Sequence, residues 1–137
     1  MRDVKAVGNT PSVLFPDVCA VVVPWLRDLL EPVPVHATIP DARPAKFVHI
    51  VRTGGVQRDT VSDAALLVVD CWAQTDAETQ ILAALVRKHL QGLRGEVGGT
   101  VVQRTAEAGG PAPVPDPETG TPRAWLTYEV VTRGDGS

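Results

Sequence analysis

The sequence predicts an α+β domain: a mostly antiparallel five-stranded sheet, order α-β-β-β-α-β-β, with two helices packed on one face. Three observations lead there. Residues 65–73 form an apolar run rich in β-branched side chains, broken only by Asp70, which reads as a central strand. That run passes within two residues into a helix start, so strand and helix share a layer. Residues 18–30 repeat apolar side chains at the helical period, whereas residues 45–53 and 124–132 alternate at the strand period.

The elements follow in order. Residues 1–14 lack periodicity and hold Gly8, Asn9 and Pro11, so they read as a flexible arm. The first helix is expected to start near Pro16, with Asp17 in its first turn. Val18, Val21, Val22, Trp25, Leu26, Leu29 and Leu30 make its apolar stripe. Burying that stripe contributes on the order of 10 kcal/mol gross, at roughly 1.5–3 kcal/mol per large side chain. Pro24 falls on the polar face, where it removes one backbone hydrogen bond and kinks the helix, and Pro32 and Pro34 end it.

Residues 33–39, flanked by prolines, suit an edge strand. In residues 45–53, Phe47, His49 and Val51 share one face and Val48, Ile50 and Arg52 the other. Gly54 and Gly55 then open a polar connection to the central strand. Thr75 is placed as the second helix's N-cap, with Glu78 closing a capping box and Asp76 favoured by the helix dipole. Leu82, Leu85, Val86, His89 and Leu93 make its apolar face; Arg87, Lys88 and Arg94 suit its C-terminus, and Gly95 stops it. Strands follow at 100–105 and 124–132. Between them residues 106–122 carry five prolines and three glycines and read as a projecting, semi-rigid loop. Residues 134–137 read as a disordered tail.

At 137 residues the chain fits one domain, spanning residues 15–133. A net charge of −3 argues against coating nucleic acid, and no apolar run approaches the ~20 residues that cross a bilayer. The first residues lack the apolar core of a secretory signal, so a soluble cytosolic protein is expected. Cys19 and Cys71 lie in apolar segments and read as small core residues.

The search for chemistry finds little. RTGGVQ and GEVGGT lack phosphate-loop spacing and read as turns or bulges. His36 and His49 can meet across the first hairpin but lack a third ligand, and His89 reads as a core histidine. The three tryptophans fall on three core elements rather than on a stacking platform. Asp70 is the one carboxylate inside an apolar strand. Beside Cys71 it suits a general base; otherwise it pairs with an arginine such as Arg52 or Arg104, across the sheet or a subunit contact. No catalytic, cofactor-binding or metal-ligating set is expected.

The segments FPDVCAVVVPWLRDLL, VVDCWAQTDAETQILAALVRKHLQGL and PDPETGTPRAWLTYEVVTRG together resemble the tail terminator (tail completion) proteins of long-tailed bacteriophages. The resemblance covers residues 15–133 and leaves the leading arm outside. It looks most like the proteins of phages infecting GC-rich actinobacteria, and ten arginines against three lysines fit such a genome. It implies a virion protein, assembled in the host bacterial cytoplasm, that forms a hexameric ring on the head-proximal end of the tail tube. That ring stops tube polymerisation and presents the surface joined by the head, with genome DNA passing through unbound. The implied partners are other copies of the chain, the major tail tube protein and a head–tail connector or neck protein. The alternatives are another neck protein, such as a head-closure or head–tail adaptor protein, and a small cytosolic enzyme using Asp70 and Cys71. The interface expected from the residues comprises Asp70 at a subunit contact and Val114, Asp116, Glu118 and Arg123 on the proline loop. There the acidic pair near the tip selects the partner.

Overall fold

The computed structural model describes residues 13–134; residues 1–12 of the expected arm and 135–137 of the expected tail lie outside the described residues. The elements are α1 (Val18–Leu30), β1 (Val35–His36), β2 (Phe47–Gln57), β3 (Ser62–Trp72), α2 (Asp76–Leu90), β4 (Gly95–Val97), β5 (Thr100–Pro113) and β6 (Arg123–Arg133). The strands form one curled, mixed sheet in the order β1-β2-β3-β6-β5-β4. It has six strands rather than five, and every pairing is antiparallel except β1 with β2.

Asp17 caps α1 from outside instead of joining its first turn: its carboxylate accepts the N–H groups of Cys19 and Ala20 at 3.0 and 3.4 Å. Val18, Val22, Leu26 and Leu30 are buried as the stripe requires, but Leu29 is 45% exposed. The Thr75 cap of α2 forms as expected, with the Glu78 N–H donating to Thr75 Oγ1 at 3.1 Å. The Glu78 carboxylate, however, meets the Thr75 hydroxyl at 3.1 Å rather than the backbone N–H that would close the box. The buried face of α2 is Thr79, Leu82, Ala83, Val86 and Leu90, a rotation from the expected one; Leu85 is 40% exposed and Ile81 69%.

Both helices pack on one face of the sheet. Their buried side chains share a single core with Val48 and Ile50 of β2, Leu67, Val69 and Cys71 of β3, and Leu126, Tyr128 and Val130 of β6. A second tie crosses from α2 to β5. Arg87 grips Glu107 through two N–H groups, at 2.6 and 2.8 Å, and the Tyr128 hydroxyl donates to Glu107 at 3.0 Å. Arg87 and then the Tyr128 bond hold the Glu107 carboxyl below its ordinary range, while burial pushes the Tyr128 hydroxyl up.

Two expectations about the strands fail for identifiable reasons. The polar connection after Gly54 is strand. β2 runs on to Gln57 past a bulge between Arg52 and Gly54, and residues 58–61 alone turn the chain. Gly55 has φ +98°, and a Cβ there would lie 2.0 Å from the Ala64 carbonyl oxygen, so only glycine fits. Gly98 and Gly99, both at positive φ, form a tight hairpin turn that pairs β4 with β5. Lastly, residues 106–113 are not a loop: β5 pairs with β6 as far as Pro113 through three register irregularities. Among the described residues the outer side of β5 has no strand beside it past Val102, so its prolines break no ladder there.

Candidate assembly surfaces

With both helices on one face, the alternate residues of β2, β3 and β6 face the other way. Their register places them in rows. Phe47, Trp72 and Arg123 form one; His49, Asp70 and Trp125 the next; Val51, Val68 and Thr127 the third.

Asp70 does not meet an arginine. Its Oδ2 lies 2.9 Å from His49 Nδ1, while its Oδ1 is buried without a partner. Arg52 is spent on Asp63, at 2.8 and 3.1 Å, and Arg104 lies 3.4 Å from Glu129. His36 stands in register with His49, as expected, but across a parallel ladder rather than a hairpin. Cys71 follows Asp70 in the strand and points into the core on the opposite face. Burial, then the neighbouring Asp70 charge, pushes its thiol far above the ordinary range. The two side chains therefore cannot act together as base and nucleophile. Among the described residues no three His, Cys, Asp or Glu side chains gather to hold a metal ion, and no helix is long and apolar enough to cross a membrane.

The proline segment folds back instead of projecting. Val114 and Arg123 extend the β5–β6 ladder, with the Val114 N–H donating to the Arg123 carbonyl at 2.8 Å and Arg123 Nε donating to the Val114 carbonyl at 2.8 Å. Asp116 is buried, which removes it from any partner. Its carboxylate accepts from Thr119 at 2.7 Å, Arg43 at 3.3 Å and the Glu118 N–H at 3.4 Å. The Thr119 bond foremost, with the Glu118 amide and Arg43 behind it, holds the Asp116 carboxyl below its ordinary range. Of the expected interface residues, Asp70, Val114, Asp116 and Arg123 thus gather at one end of the sheet. Glu118 is exposed on the turn beyond them.

Sequence reasoning missed what surrounds Arg123. Its guanidinium lies over both Trp72 and Trp125, 5.0 and 5.1 Å from the ring centroids. Arg43 also lies 5.0 Å from the Trp72 ring, and Phe47 stacks on Trp72 at 5.2 Å. Two of the three tryptophans are therefore joined in one cluster. The signal was the period-two alternation, which puts Trp72 and Trp125 on outward-facing positions of neighbouring strands. Beside them opens a cleft of about 440 Å³ lined by Arg43, Phe47, Trp72, Thr121 and Pro122 among others.

The second surface is the pair of sheet margins. β1 pairs only with Val48 and His49 of β2, and β4 only with residues 100–102 of β5. Residues 53–57 on one flank and 103–113 on the other therefore have no strand on their outer side among the described residues. Both run through the same rows, such as Gly55, Ala65, Val130 and Thr105, so they lie opposite each other across the sheet. Val56, on the first margin, is 68% exposed.

A scan of protein-family models finds no match to this chain, and a search of curated proteins finds none.

Proposed function

We propose that this protein is a phage tail terminator: a structural, non-enzymatic ring protein that caps the head-proximal end of the tail tube, halts its growth and offers the joining surface for the head. The observation that carries the reading is the pair of free margins on opposite flanks of the sheet. A subunit whose β2 margin meets the β5 margin of its neighbour makes a head-to-tail contact, and such contacts close into a ring when the rotation allows. The edge strand expected over residues 33–39 is reduced to the two residues of β1, too short to be the joining edge. The stoichiometry, a hexamer, and the partners, the tail tube protein and a head–tail connector, come from the family resemblance. The net charge of −3 suits a ring through which DNA slides without counterion-releasing contacts.

The test is to add the purified protein to growing tail tubes and image the ends. Terminal rings and arrested growth support the reading. Val56→Lys, which puts a charge on an exposed margin, is expected to keep the fold and abolish capping. Tubes that keep elongating in the presence of the wild-type protein overturn the proposal, and binding to portal-bearing heads alone assigns it to another neck component.

A further inference from the structure

We propose that the corner formed by Arg123, Trp72 and Trp125 is a docking site for a carboxylate carried on an acidic segment of a partner protein. The inference concerns a surface separate from the sheet margins and stands whether or not the protein caps a tube.

The arginines differ in what they meet. Arg43, Arg52, Arg58, Arg87 and Arg104 each have a carboxylate within reach. Arg27 directs two N–H groups at the Val35 carbonyl. Arg123 gives one N–H to the Val114 carbonyl and has no carboxylate among the described residues, although two indoles hold its guanidinium in place. A planar cation already fixed by stacking loses little freedom on binding and presents a fork that fits a carboxylate. Tryptophan and arginine are also the residues that most often dominate binding energy at protein contacts.

A second, independent observation points to an acceptor. Trp72 Nε1 is a buried donor without a partner, in the same row as Arg123. A carboxylate is acceptor-only and has lone pairs for both the guanidinium and the indole N–H. Asp116, the acid that Arg43 meets, is already engaged by Thr119 and Arg43, so the anion has to come from outside. Asp70, one row along, repels it from the Trp125 side and confines it to the row of Arg123. A nucleic-acid base fits less well. Phe47 covers Trp72, the guanidiniums of Arg43 and Arg123 lie over the same ring, and Arg123 lies over Trp125 too, so neither indole of the corner is a bare platform for a base.

The test titrates the full chain with a labelled poly-glutamate peptide, reading peptide anisotropy and tryptophan emission together; a single-stranded oligonucleotide of matched charge serves as competitor. Saturable, salt-sensitive binding that shifts the emission is expected. Arg123→Ala should weaken it at least about tenfold, and Arg123→Lys, which keeps the charge but not the planar fork, by an intermediate factor. Should the alanine variant fail to fold, the lysine variant decides alone, and unchanged affinity there overturns the proposal. Absence of binding, or tighter binding of the oligonucleotide than of the peptide, overturns it as well.

Discussion

The two faces of β3 are made by alternate residues of one strand, yet they are finished in different ways. On the helix side Ala65, Leu67, Val69 and Cys71 are fully covered by α1 and α2 and belong to one apolar core. On the other side Leu66 and Val68 are half-buried, Asp70 is tied to His49, and Trp72 is clasped by Phe47 and two arginines. The first face is complete within the chain. The second keeps a carboxylate oxygen and an indole N–H buried without partners, and groups of that kind cost free energy until something meets them. One face stores stability and the other stores specificity.

The largest effect should come from breaking the complete face. Leu67→Ala removes a side chain with no exposure from the centre of the core and is expected to cost about 2–5 kcal/mol, read as a lower urea midpoint with an unchanged slope. Val68→Ala, one residue along on the half-buried face, should cost well under half as much. Equal losses would mean that the two faces are equally packed, and the contrast would fail.

Acid should act next, through pairs outside the core. Glu107 and Asp116 both have carboxyls held below their ordinary values in the folded protein. The stability they add is therefore present above their unfolded values, about 4, and is lost as pH falls through the folded ones. A Glu107→Gln, Asp116→Asn double variant should show a flatter dependence of thermal midpoint on pH below about 4 than the parent. Identical slopes would sink the assignment.

The smallest change in stability is expected from Asp70→Asn, since an amide can still bond the His49 ring and carries no buried charge; the unfolding free energy should move by no more than about 1 kcal/mol. If the protein caps tail tubes as proposed, capping by this variant should fall further than its stability. A variant that folds and assembles normally while phage production stops at a chemical step would point instead to an enzyme.

How much of this could be read from the sequence depended on whether a feature was local. The Thr75 cap, the α1 stripe apart from Leu29, and the central strand follow from neighbours a few residues apart, and all three formed. Asp70 is expected to meet an arginine, but His49 reaches it through the register of two strands, and a bulge three residues beyond His49 shifts that register. Residues 106–113 were misread because proline argues against a strand only where both sides are paired. Knowing that β5 has a free side requires the whole sheet. Ile81 and Leu85 show the same limit on α2, where the spacing admits more than one buried arc and only tertiary packing chooses.

The free side of β5 also bears on when two copies can join. Gly109, Gly110, Pro111 and Pro113 occupy its far half, and the prolines have no N–H to offer an incoming strand. What remains usable is residues 103–108, a stretch so short that main-chain pairing alone would be marginal in water. A stray unfolded chain that happens upon this margin finds too little to hold it. A correctly oriented neighbour brings side-chain contacts along with the pairing, and a tube end holds several neighbours in position at once. If the protein caps a tube as proposed, joining would work as a coincidence requirement: free subunits at low concentration would stay apart, and the ring would form where a template has already gathered its members.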